Sequence, residues 1–223
     1  MKYGKKYRKA AENIDKKKLY EVSEAVKILK ASPIAKFDES IEIHVKTTVD
    51  PKKGDQQVRG TLVLPHGTGK SKKVAVITST AQDEAKKAGA DLVGGEELIE
   101  KIGKKIEFDV LVATPEMMPK LAKVAKILGP KGLMPNPKTE TVTTKIKEAV
   151  EALKKGKLAF KNDASANIHS LVGKMSFEEK QLEENIKTFI ENIQKTKPAT
   201  FKGRFISNIT VCSTMGAGLK IKS

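Results

Sequence analysis

The sequence predicts a two-part protein, α+β and α/β, in which a self-contained α/β segment interrupts an α+β layer. Three observations predict it. Alternating strands with one apolar and one polar face occur near both ends of the 223-residue chain. The middle instead carries short, wholly apolar strands between amphipathic helices, the pattern of a parallel sheet. Neither outer segment holds enough elements for a core of its own, whereas together they make a sheet backed by two helices.

The elements follow in order. After a basic lead, MKYGKKYRKAAENIDKKK, residues 21–30 place Val22, Ala25, Val26 and Leu29 on one helical face. Ile41, Ile43, Val45, Thr47 and Val49 then alternate with Glu42, His44, Lys46 and Thr48, which predicts a half-buried strand. A turn over 51–55 leads to RGTLVLP (59–65), read as the returning strand and ended by Pro65. In the middle, strands are predicted over 72–79, 91–94 and 109–113, with helices over 83–90 and 96–103. Thr114 is the expected cap of a further helix, Pro115 suits its first turn, and Met117, Leu121, Val124 and Leu128 form its stripe. Gly129 and Pro130 stop it. Ile146, Ala149, Val150 and Leu153 mark a helix over 143–155. Beyond Gly156, strands are expected at 158–162, 167–177, 204–214 and 219–222. Between them runs a long helix with a predicted Ser176–Glu179 capping box and the stripe Leu182, Ile186, Phe189, Ile190 and Ile193. The predicted division is therefore one discontinuous α+β domain, 1–65 with 158–223, and an inserted α/β domain, 66–157.

Charge narrows the partners. Lys plus Arg number 43 against 27 Asp plus Glu, a formal charge of +16. Such a field attracts polyanions: nucleic acid first, an anionic membrane second. Only Arg8, Arg59 and Arg204 are arginines, so the cations are mostly lysine point charges, suited to phosphates more than to bidentate base reading. The inserted segment carries 18 basic and 12 acidic residues, for +6, and the outer segments 25 and 15, for +10. The outer domain is thus the better RNA candidate. Trp is absent and aromatics are 4 %, which disfavours an aromatic-rich single-strand binder. No apolar run approaches the roughly 20 residues of a membrane span. The basic lead has no apolar stretch behind it and is read as neither a secretory signal nor a transit peptide.

Catalytic and metal motifs are not found. Cys212 is the sole cysteine, so no intrachain disulfide and no multi-thiolate zinc site is expected. GTGKS (67–71) invites a phosphate-loop reading, but Leu64 stands where that motif needs glycine, and a strand follows instead of a helix. His44, His66 and His169 lie far apart without ligand spacing, and ordinary surface hydrogen bonds are expected of His44 and His169. No cofactor, metal or catalytic residue is predicted. A nucleotide-binding enzyme and a non-specific polyanion binder remain as alternatives.

GPKGLMPNPKT (129–139) is a rigid, irregular run with two glycines and three prolines, flanked by Lys131 and Lys138. It resembles the signature of the large-subunit ribosomal protein L-one family, most of all its bacterial branch. KFDESIEIHVK (36–46), VDPKKGDQQVRGTLVLPHGTGK (49–70), IHSLVGKMSF (168–177) and STMGAG (213–218) resemble it too, in the expected order along nearly the whole chain.

The resemblance implies a split β-α-β domain holding both termini and an inserted Rossmann-like three-layer domain. It also implies a cytoplasmic, ribosomal protein, monomeric when free. Its partners would be large-subunit ribosomal RNA at the mobile stalk, exit-site tRNA whose deacylated form it helps to release, and its own operon's mRNA, which it represses. The RNA surface it implies is Lys36, Phe37, Asp38, Ser40 and Glu42 together with Thr214, Met215 and Gly216, with Lys46, Lys174 and the N-terminal lysines supplying salt-sensitive attraction. Phe37 would pack on a sugar or base, and Ser40 and Thr214 would offer hydroxyls. Two positions depart from the family pattern: Ser40 where Thr is frequent, and Ala217 where Pro is.

Overall fold

The computed structural model describes every residue except 1–3, 13, 16, 17, 80, 199, 200 and 223. Its elements in chain order are α1 (Lys5–Glu12), α2 (Val22–Ala31), β1 (Ser40–Thr47), β2 (Arg59–Val63), β3 (Val74–Ile77), α3 (Gln82–Lys87), β4 (Leu92–Gly94), α4 (Glu96–Lys104), β5 (Val110–Ala113), α5 (Met118–Leu121), α6 (Ala125–Leu128), α7 (Ile146–Lys154), β6 (Lys157–Lys161), β7 (Asn167–Lys174), α8 (Glu179–Lys195), β8 (Ile206–Ser213) and β9 (Leu219–Ile221). The chain divides into two compact units, Met1–Gly69 with Ala159–Ser223 and Lys70–Leu158. It is a mixed α/β protein with several sheets. No helix among the described residues is long and apolar enough to cross a membrane.

The first unit is built on a four-stranded sheet of order β7-β1-β8-β9, antiparallel throughout. β1 is interior, so its alternation is clean. Ile41, Ile43 and Val45 are fully buried, while Lys46 on the other face is exposed. The buried face meets Ala25, Val26 and Leu29 of α2 and Leu182, Ile186, Phe189 and Ile193 of α8. Each fully buried Ile, Leu or Phe contributes about 1.5–3 kcal/mol. Phe189 and Phe160 meet edge to face with centroids 6.0 Å apart. Asn185 is the polar exception on α8. Its amide donates to the Gly67 and Val172 carbonyls at 3.0 and 2.8 Å, and its oxygen accepts the His66 N–H at 3.2 Å. The GTG turn is thereby pinned to the helix. Gly69 is required in that turn: its φ is +71°, and a Cβ would collide with Lys174 and Phe177.

Two expectations for this unit are corrected. The segment 59–63 does not return beside β1. It pairs with β6, because both edges of β1 are taken by β7 and β8. The box that starts α8 joins Glu178 and Gln181, and the helix begins at Glu179. Ser176 is not its cap because both its N–H and its hydroxyl bind Asp38. The basic lead contains a helix, α1, whose run KKYRKAAE carries no apolar stripe and contributes nothing buried.

In the second unit, β4-β3-β5 form a parallel sheet. Ala75, Ile77, Leu111 and Ala113 pack on one side with Ile99, Ile102, Leu121 and Leu128. Val74, Val76 and Val112 pack on the other with Ala85, Ile146 and Val150. Burial on both faces explains the unbroken apolar strands. The run 115–128 keeps its stripe but is not one helix. It alternates 3₁₀ and α turns, with Pro119 inside it. Thr114 stands at its head without capping it, and its buried hydroxyl has no hydrogen-bond partner among the described residues. The glycine- and proline-rich loop is fixed from within. Leu133 and Met134 lie against the core, and the Leu133 N–H donates to the Leu128 carbonyl at 3.1 Å. Asn136 and Thr141 lock its far end, the Thr141 hydroxyl accepting the Asn136 N–H at 2.8 Å.

Candidate nucleic-acid interface

Strand register decides which separated residues meet. Ile41 lies opposite Ser213, so the chain entering β1 meets the chain leaving β8. Ser40 lies opposite Lys174 on the other side. One end of the sheet therefore gathers Lys36–Ser40, Lys174 and Thr214–Gly216.

Glu39 holds that end together. Its parity matches Ile41, Ile43 and Val45, so it points inward, and it is only 1 % exposed. Its carboxylate accepts the N–H groups of Ile34 (3.1 Å), Ala35 (2.8 Å) and Met215 (3.1 Å). Burial alone would raise its pKa, but hydrogen bonds from the Ser213 hydroxyl and those three amides outweigh it, and the net shift is downward. Thr214 adds a second tie. Its hydroxyl accepts the Ser40 N–H at 3.0 Å and donates to the Ser40 carbonyl, which also accepts the Thr214 N–H. Asp38 adds a third, accepting from the Ser176 N–H and hydroxyl, both at 3.0 Å, while its carbonyl accepts from Lys174 Nζ.

These ties leave two large apolar side chains outward. Phe37 is 59 % exposed and Met215 53 % exposed. Neither belongs to the core. Gly216 lies against Ser213 Oγ with no room for a Cβ. The hydroxyls expected to face a ligand are differently employed. Ser40 is buried, and the Thr214 hydroxyl is bound to backbone. Lys36 is exposed. Glu42 and Lys46 follow on the outward face of β1, but Lys46 is six residues from Ser40, roughly 20 Å along the strand. Its ammonium donates to the Ser165 carbonyl at 2.5 Å. Of the N-terminal lysines, Lys2, Lys16 and Lys17 lie outside the described residues.

Sequence reasoning missed Glu39, although it continues the inward parity of β1. It also set the histidines apart, and the sheet brings two of them together. His44 lies opposite His169 and, across β8, Thr210. His44 Nδ1 is 2.8 Å from His169 Nδ1, His44 Nε2 is 3.2 Å from Cys212 Sγ, and His169 Nε2 is 3.4 Å from the Asp163 carboxylate. Burial first, and the neighbouring His169 second, lower the His44 pKa against the pull of Glu42. Burial and then Glu42 raise the Cys212 pKa. Asp163 is held down at about 2, chiefly by the Asn167 N–H. No group of three or more such side chains among the described residues is arranged to hold a metal ion.

Comparison with known proteins agrees with the resemblance. Residues 29–217 match the model of the "Ribosomal protein L1p/L10e family". Three curated relatives are each named large ribosomal subunit protein uL1. That of Mesoplasma florum is 53 % identical over 94 % of this chain and 93 % of its own. That of Phytoplasma australiense is 52 % identical over 99 % and 97 %. That of Kosmotoga olearia is 51 % identical over 99 % and 96 %. The chain belongs to the ribosomal protein L1p/L10e family, a family of ribosomal proteins and not of enzymes.

Proposed function

We propose that the protein binds large-subunit ribosomal RNA at the mobile stalk beside the exit site, helps to release deacylated tRNA there, and represses its own operon by binding a similar fold in its mRNA. In this reading the discontinuous unit is the split β-α-β RNA-binding domain, and the parallel-sheet unit is its Rossmann-like insert. The protein works in the cytoplasm, on the ribosome. The observation that carries the reading is the buried Glu39 tie, which joins 34–39 to 213–216 and leaves Phe37 and Met215 outward. A rigid rim with exposed apolar groups suits stacking on unpaired bases or sugars. Lys36 and Lys174 add phosphate attraction, within an overall charge of +16. Asp38, Ser40 and Thr214 serve this surface mainly by shaping it, Gly216 by close approach, and Glu42 as an acceptor for a base amino group.

The test is binding of a stalk RNA hairpin against a scrambled hairpin of equal length, across a salt series. A preference that persists as salt rises supports the reading. Equal binding that collapses with salt leaves a polycation. Phe37→Ala should then lower the preference while leaving the salt slope unchanged.

A further inference from the structure

The outward face of the first unit's sheet carries a chain of hydrogen bonds that fixes its own direction. Asp163 is ionised, so it accepts, and His169 must carry its proton on Nε2. His169 Nδ1 is then bare and accepts the His44 Nδ1–H at 2.8 Å. His44 Nε2 is bare in turn and accepts the Cys212 S–H at 3.2 Å. The reverse direction would set the bare His169 Nε2 against a carboxylate lone pair. With one proton on each ring, the contacts are satisfied in this direction alone.

One further proton has one good location. On His169 Nδ1 it would face the His44 Nδ1–H, donor against donor. On His44 Nε2 it keeps the imidazole–imidazole bond and only turns the weak sulfur contact round. The pair thus has a place for one added proton, which the burial of His44 disfavours while the face is empty, and takes a second only by coming apart. It is reachable from solvent: the His169 side chain is 52 % exposed. It shares its face with the end of the sheet described above, through Glu42 and the Ser40–Lys174 pairing.

We propose that the His44–His169 pair is a proton-linked RNA contact, which takes up one proton when a phosphate group settles on the open sheet face. This rests on the RNA-binding reading of the adjoining sheet end. The charged and titratable groups facing the pair are Glu42 and Lys46 on β1, Asp163 before β7, Cys212 on β8, and Lys220 on β9 opposite Thr210. Cys212 is held as a thiol and Asp163 as a carboxylate, so neither changes charge between pH 5.5 and 8. A phosphate stabilises the imidazolium that burial disfavours. Proton uptake follows on binding, and affinity rises as pH falls.

The experiment measures stalk-hairpin and scrambled-hairpin affinity from pH 8 to 5.5 at fixed ionic strength, for the full chain and for His44→Gln with His169→Gln. Specific affinity of the native protein should tighten about fivefold over that range, the low end of coupling between two linked binding events. The double variant should be flat. In parallel, the ring carbon-bound proton signals of His44 should titrate at higher pH in the complex than in the free protein. A native protein that prefers the stalk hairpin equally at every pH overturns the inference and leaves the RNA-binding reading intact. So does a double variant with the native slope, which places the proton in the RNA, and so do His44 signals that titrate alike in free and bound protein. Absence of hairpin preference at every pH overturns both.

Discussion

Replacing Glu39 by glutamine removes one charge and one acceptor and changes almost nothing in size. In the structure one carboxylate oxygen accepts the Ile34 and Ala35 amides, and the other accepts the Met215 amide at 3.1 Å. The Glu39→Gln side chain keeps its oxygen on the first two and turns an N–H toward the third. A buried donor left without an acceptor costs about 1–3 kcal/mol, and losing charge assistance on the remaining two bonds adds about 1 kcal/mol. The expected loss is therefore about 3 kcal/mol at pH 7, or about 6–12 °C in melting temperature for a chain of this size. Urea unfolding measures the first quantity and a thermal melt the second. The acid limb gives an independent check. Glu39's folded pKa lies below its unfolded value, so its contribution is complete above about pH 4.3 and disappears as pH falls through the lower folded value. The gap between native and variant must narrow in acid. A gap under about 1 kcal/mol at pH 7, or one that is constant into acid, would refute the assignment of Glu39 as an ionised tie.

Other outcomes test the neighbouring residues. Met215→Asp, at a side chain 53 % exposed, should shift stability by less than about 0.5 kcal/mol while abolishing most of the stalk-hairpin preference. Equal losses on stalk and scrambled hairpins would argue against Met215 as part of a specific surface. Thr214→Val should cost about 1–2 kcal/mol by leaving the Ser40 N–H unpaired, whereas Thr214→Ser should be nearly native by urea unfolding. Asn185→Leu should destabilise by about 3 kcal/mol, since it orphans the Gly67 and Val172 carbonyls and the His66 N–H. A variant that unfolds at the native urea concentration would remove Asn185 as the pin of the GTG turn. Neutralising Lys36 should lower the salt slope of RNA binding by about 0.7–0.9, read from affinity against salt concentration.

Much of the fold is legible because it rests on local periodicity. The period-two run of β1 and the 3.6-period stripes of α2, α7 and α8 appear in the structure, with Val22, Ala149 and Ile190 half-buried at the stripe edges and the other predicted residues buried. Departures occur where a local signal competes with a distant partner. Ser176 has the look of a helix cap, but Asp38, 138 positions away, takes both its hydrogen-bonding groups. The segment 59–63 is a strand by composition, and nothing in its own residues says that β6 is its neighbour. Thr114 and Pro115 do begin a helical run, yet Pro119 and the packing of Met117 and Leu121 divide it into short turns.

The candidate site divides in the same way. The sequence by itself determines the charge, the apolar faces, the exclusion of a phosphate loop and the segments 36–42 and 213–218 as related to one family. These are properties of composition, spacing and order. Tertiary structure alone decides that Glu39 and Met215, 176 positions apart, share a hydrogen bond, that the Thr214 hydroxyl turns inward, and that His44 and His169 meet at 2.8 Å. The physical reason is antiparallel register. Once β1 is placed between β7 and β8, every cross-strand neighbour follows, but that placement depends on the summed burial of three separate segments, which no one of them records.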